Sequence, residues 1–186
     1  ESNSNKGTLV VGTMTGPGND TISFGNEFIF YDSDVTYTSC TYDTSKDLVV
    51  IAFRDSLLSD SYVVLAEVSA NGNVGFSSAF EFDQNAGNGN ATYITSAYSP
   101  VTKRTLIAAV RSVSQQAYAT AGVITGDNIS NYEMHFGQSY DFATGQQAWH
   151  LNMAYSPSAD IFGVVYRDYQ PNPKVGRMEL LSVDIN

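Results

Sequence analysis

A single cysteine, Cys40, stands among 186 residues, so no intramolecular disulfide framework can form and the redox compartment stays open. Charge is scarce: only 15% of the residues are charged, and 9 basic against 19 acidic side chains leave a net charge of −10. Such a chain repels phosphate, which excludes nucleic acid and anionic membrane as first partners. Long apolar runs are missing too. The longest, Leu48 to Phe53, is six residues, too short to cross a bilayer, so no membrane insertion is expected. The opening Glu-Ser-Asn-Ser-Asn-Lys has no signal-peptide pattern, and a soluble chain, mature or a fragment, is the expectation. Windows of period 3.6 are lacking, which excludes a helical fold. No Gly-x-Ser-x-Gly elbow, phosphate loop or dinucleotide fingerprint occurs, so neither an enzyme nor a cofactor is expected.

What the chain has is Thr, Val, Tyr, Phe, Ser and Gly, which suit strands and tight turns. At 42% apolar and 12% aromatic it is one domain with a real core, and its expected class is all-β. A repeat organises it. Phe53-Arg54-Asp55, Val110-Arg111-Ser112 and Tyr166-Arg167-Asp168 are spaced 57 and 56 positions; Tyr42-Asp43, Tyr98-Ser99-Pro100 and Tyr155-Ser156-Pro157 are spaced 56 and 57.

Four short segments recur in each period, bounded by turn residues. Segments a are Thr8 to Met14, Tyr62 to Val68, Tyr118 to Ile124 and Met178 to Val183. Segments b end in aromatics two apart, Phe28/Phe30, Phe80/Phe82 and Tyr140/Phe142, which places both rings of a pair on one face, expected to be core. Segments c are Val35 to Tyr42, Ala91 to Tyr98 and Gln147 to Tyr155; segments d are Leu48 to Arg54, Leu106 to Arg111 and Ile161 to Arg167, apolar enough to be buried on both faces. Hairpin turns are expected between a and b at 16–20, 71–73 and 126–128, and a low-complexity loop at 84–90.

Thirteen strands result, read as one β-repeat domain over 1–186 with repeats at about 8–55, 61–112 and 117–168 and a closing strand at 176–186. Four strands in about 56 residues is the pattern of a propeller blade, with a solenoid or sandwich as the alternative. Three blades plus one strand are too few to close a ring, so closure is expected through homo-oligomerisation or through neighbouring repeats of a longer array.

The phrases Tyr93-Ile94-Thr95-Ser96-Ala97-Tyr98-Ser99, Leu48-Val49-Val50-Ile51-Ala52-Phe53-Arg54-Asp55 and Thr13 through Gly25 resemble a tandem β-propeller-type repeat. Similar repeats occur in phage tail or fibre proteins and in large surface proteins of aquatic bacteria. The resemblance implies an extracellular or virion-surface module that acts by structure or recognition. Acidity with few lysines suits that location.

The arginines are the candidate binding residues. A c–d hairpin closed around 43–47 sets Leu48 against Tyr42 and Arg54 against Thr36, beside Tyr37. The same register sets Arg111 beside Tyr93, and Arg167 opposite Trp149 and beside His150. A rim of guanidinium and flat rings can hold glycans, through paired donors and stacking on pyranose faces. A dedicated lectin is therefore the alternative to a structural module. Sialidase chemistry is not supported, because no Asp-box turn and no tyrosine–glutamate pair occurs. His135, His150 and Cys40 fall on different segments without metal spacing, and Asp32-Ser33-Asp34 reads as a solvated acidic turn rather than a calcium loop. Three sequons, at Asn19, Asn90 and Asn128, matter as glycosylation sites only if the chain is secreted by a eukaryote.

Overall fold

The computed structural model describes residues 5–16, 18, 21–82, 91–170 and 174–183. Among these the chain is all-β, with fourteen strands and no helix. In order they are β1 (Lys6–Thr15), β2 (Thr21–Asp43), β3 (Leu48–Asp55), β4 (Ser61–Val68), β5 (Val74–Phe76), β6 (Phe80–Glu81) and β7 (Ala91–Ser99). Then follow β8 (Arg104–Arg111), β9 (Ala117–Thr125), β10 (Glu133–Phe136), β11 (Tyr140–Phe142), β12 (Ala148–Ser156), β13 (Ile161–Asp168) and β14 (Val175–Leu181).

The strand count departs from the expected thirteen for local reasons. Segments b and c of the first repeat run together as the 23-residue β2, since no glycine or proline interrupts the chain between Phe30 and Val35. In the second repeat Ser77 breaks segment b in two, its hydroxyl taking the Leu65 N–H at 3.0 Å. In the third, Gly137 to Ser139 part β10 from β11.

Every sheet is assembled across a repeat boundary, from c and d of one repeat and the a that follows. The first runs β1-β2-β3-β4-β5 with β6 also on β4; the second runs β10-β9-β8-β7 with β11 also on β9; the third is β12-β13-β14. Equivalent positions follow from the cross-strand partners: Thr36 pairs Arg54, Thr92 pairs Val110 and Trp149 pairs Arg167.

With that alignment the sheets stack in one direction. Val50, Ala52, Val63 and Leu65 of the first sheet pack on Ile107, Ala109 and Tyr118 of the second. The second sheet's other face, with Leu106, Ala108 and Ala119, packs on Phe162 and Val164 of the third. Each fully buried Val or Leu here is worth about 1.5–3 kcal/mol relative to exposure. The outer face of the first sheet, Ile51, Phe53, Val64 and Ala66, is covered by Leu9, Phe30 and Tyr31 of the β1–β2 hairpin, so that sheet curls over itself.

Among the described residues nothing covers the last outer face. Val165, Met178 and Leu180 of the third sheet are 46%, 61% and 61% exposed. Segment d is accordingly buried on both faces in β3 and β8 but alternates in β13, against expectation. Of the paired aromatics in b, Phe82 is buried while Tyr140 is 69% exposed, because Tyr140 lines an open cleft instead of a closed interface.

Candidate functional site

Each c strand carries the same irregularity. Tyr37 and Thr38 together oppose Phe53, Tyr93 and Ile94 oppose Ala109, and His150 and Leu151 oppose Tyr166, so every c strand has a β-bulge at one place. Leu48 consequently pairs with Asp43 and not with Tyr42, and the extra residue restores the expected pairing of Arg54 with Thr36. The first bulge residue is left-handed each time: φ is 52° at Tyr37, 52° at Tyr93 and 54° at His150. A non-glycine residue in that region costs about 1–2 kcal/mol, and three large rings bear it in register.

The reason they meet is that β7 lies beside both β2 and β12, with the Ser39 and Ser96 hydroxyls bonded at 2.9 Å across the first junction. The bulges then bring the rings together. Tyr37 and Tyr93 meet edge to face at 5.4 Å, Tyr93 lies 4.8 Å from His150 and stacks on Trp149 at 5.9 Å, and Trp149 stacks on Tyr169 at 4.8 Å and 15°. Tyr37 and Tyr169 form the open ends at 39% and 38% exposure. Lys174 Nζ sits 3.6 Å and the Arg167 guanidinium 5.7 Å from the Tyr169 ring centre. The hydrogen bond and charge of Lys174 hold the Tyr169 phenol below its ordinary pKa, whereas burial and then Tyr37 raise that of Tyr93.

The structure thus unites Tyr37, Tyr93, Trp149, His150 and Arg167, with Arg54 on the strand position opposite Thr36. Arg111 does not join them. It pairs across from Ala91, stacks on Tyr118 at 4.5 Å and forms an ion pair with Asp141. Tyr169 and Lys174 were not singled out by the repeat, since they follow the last d strand at places without a counterpart marker. The only sequence clue is an aromatic directly after Arg167-Asp168.

The remaining candidates lie elsewhere. Asp32-Ser33-Asp34 falls inside β2, not in a turn, and Asp32 binds Lys6 at 2.5 Å. His135 meets the Thr125 hydroxyl at 3.1 Å, and Cys40 is exposed. Among the described residues no three His, Cys, Asp or Glu side chains converge as a metal site. Asn128 is exposed, but its side-chain oxygen takes the Ser130 N–H at 3.1 Å and its amide donates to Asp127 at 2.8 Å. Asn19, Asn90 and the 84–90 loop lie outside the described residues. Compared with known proteins, the chain matches no family model and no curated protein.

Proposed function

We propose that this chain is a non-enzymatic structural and recognition module of an extracellular or virion-surface assembly, a fibre, tail or adhesin. Its sheets are read as blades of a propeller-type array. The continuous aromatic band on the bulges carries the recognition reading. Rings held on strained backbone and left partly exposed contribute nothing to sheet pairing, and flat faces of this kind stack on sugar rings.

A narrower second reading, a dedicated lectin for anionic sugars, is favoured by one observation: Arg167 and Lys174 flank Tyr169 at the end of the band. For assembly, the uncovered face of the third sheet takes the opposite face of a sheet from a second copy, because the two preceding interfaces are made in that same sense. The test of recognition is a glycan array with the whole chain, followed by titration of Tyr93→Ala and Trp149→Ala. Binding weakened at least about tenfold in both variants supports it; no sugar binding, or binding indifferent to both, removes it. Light scattering across concentration tests assembly separately.

A further inference from the structure

The β1–β2 hairpin covers the outer face of the first sheet unevenly. At one end four rings fill the space: Phe53 lies 5.3 Å from Phe30 and 4.7 Å from Tyr31, and Tyr31 stacks on Tyr62 at 5.8 Å. At the other end the facing side chains are aliphatic, Leu9, Val49, Ile51 and Val68, and a cleft of about 460 Å³ stays open between hairpin and sheet. Further along the hairpin the lining turns polar. A second cleft, of about 380 Å³, lies between Thr13 and Ser23, which pair across the hairpin, and Asn71 and Asn73 of the β4–β5 turn. Leu9, Val11 and Thr13 alternate along one face of β1, and Val11 lines both clefts, so the two form one trough, apolar first and polar after. The turn is fixed by its own bonds. The Asn71 side-chain oxygen takes the Ser69 hydroxyl at 2.5 Å and the Asn73 N–H at 3.2 Å, which leaves the Asn71 amide N–H groups to donate. Among the described residues no charged side chain lines either cleft, in a chain with 9 basic and 19 acidic residues.

We infer that the trough binds one uncharged amphiphile, its apolar chain against Leu9, Val49, Ile51 and Val68 and its hydroxylated head between Thr13 and the Asn71–Asn73 turn. The apolar end has the size, about 300–1,000 Å³, and the lining of a small-ligand pocket, mostly apolar with a few placed polar groups. The charge of the head follows from the walls. A carboxylate or phosphate would give up water here without meeting a cation, whereas hydroxyl groups exchange their water for amide and hydroxyl partners. The occupant therefore has the chemistry of an alkyl glycoside and not that of a fatty acid or a phospholipid.

The trough shares no residue with the aromatic band, so either site can fail alone. Cys40, the single cysteine, lines the apolar end, so the rate at which a maleimide modifies it reports occupancy. The probes are octyl glucoside below its micelle concentration, octanol and octanoate, each added to the whole chain. Octyl glucoside is expected to slow the modification, with its half-effect at a concentration at least about tenfold below that of octanol or octanoate. Val68→Arg, which fills the apolar end, should abolish the protection. Thr13→Val combined with Asn73→Ala removes contacts to the head alone and should bring octyl glucoside down to the level of octanol. Unchanged thermal transitions check that both variants fold. No slowing by octyl glucoside overturns the inference. So does equal protection by octanol or octanoate in the wild type, or protection that is indifferent to both variants.

Discussion

Arg111 stands in the second sheet where Asp55 stands in the first. Each is the last residue of its d strand, and each pairs with the residue that opens the ladder with the preceding c strand, Ala91 for Arg111 and Val35 for Asp55. Asp168 holds the same place in the third sheet, against Ala148. The aspartates close their turns: Asp55 takes the N–H groups of Leu57 and Leu58 at 2.8 and 3.1 Å, and Asp168 takes that of Gln170 at 3.1 Å. Arg111 shares the main-chain bond of Asp55, its carbonyl taking the Gln115 N–H at 2.8 Å as that of Asp55 takes the Ser59 N–H at 2.9 Å, but sends its guanidinium to Tyr118 and Asp141.

Arg111→Ala is therefore a stability variant and not a binding variant. Losing one partly exposed ion pair and one ring contact should lower the unfolding free energy by about 1 kcal/mol in urea titration. If the chain binds sugar as proposed, that binding should be unchanged in the variant; a loss there would put Arg111 back among the recognition candidates.

The aspartates set the acid limit. Burial opposes ionisation of Asp55, but the Leu58 and Leu57 amides and the Ser33 and Tyr31 hydroxyls outweigh it and hold the carboxyl below its ordinary pKa. At Asp168 burial is likewise outweighed, by Arg177 at 2.7 Å and the Gln170 amide. A lowered folded pKa means stability that is present above the ordinary carboxylate range and lost as pH falls through the folded value. Unfolding free energy should be level above about pH 5 and decline below about pH 4. Asp55→Asn combined with Asp168→Asn should flatten that decline, and Asp55→Ala should cost about 1.5–3 kcal/mol at neutral pH.

The bulges predict an unusual order of substitutions at Tyr93. Glycine relieves the left-handed backbone and valine aggravates it, so Tyr93→Val should be less stable than Tyr93→Gly by about 1–2 kcal/mol, although valine is the better strand former. Chemical denaturation of the two variants measures the difference. An equal or reversed order would show that backbone strain does not govern the site.

At the alkaline end, burial and then the Asp55 hydrogen bond push Tyr31 up to about 12, and burial and the charge of Glu179 push Tyr166 to about 12. Both phenols stay neutral in the fold after unfolded tyrosines ionise, so their contribution holds below about pH 10 and is lost toward pH 12. Absorbance titration at 295 nm should show a late class of phenols that loses one member in Tyr31→Phe and another in Tyr166→Phe.

Spacing alone determined the strand grammar of this protein. Alternation and turn residues mark the c and d strands to within about two residues, except that the first c runs on from segment b in β2, and the pairs Thr36–Arg54 and Trp149–Arg167 follow from them. The clue to the one misplaced arginine was also present: the arginine marker is spaced 57 and 56, the tyrosine marker 56 and 57, and only the second agrees with the bulge residues at 37, 93 and 150. What the chain order could not contain is the sheet frame. Hydrogen bonds join d to the next repeat's a, so the unit of packing straddles the unit of sequence. The aromatic band arose from that packing too. Tyr37, Tyr93 and Trp149 are far apart along the chain, and only the side-by-side placement of β2, β7 and β12, with an extra left-handed residue in each c strand, turns three separate rings into one surface.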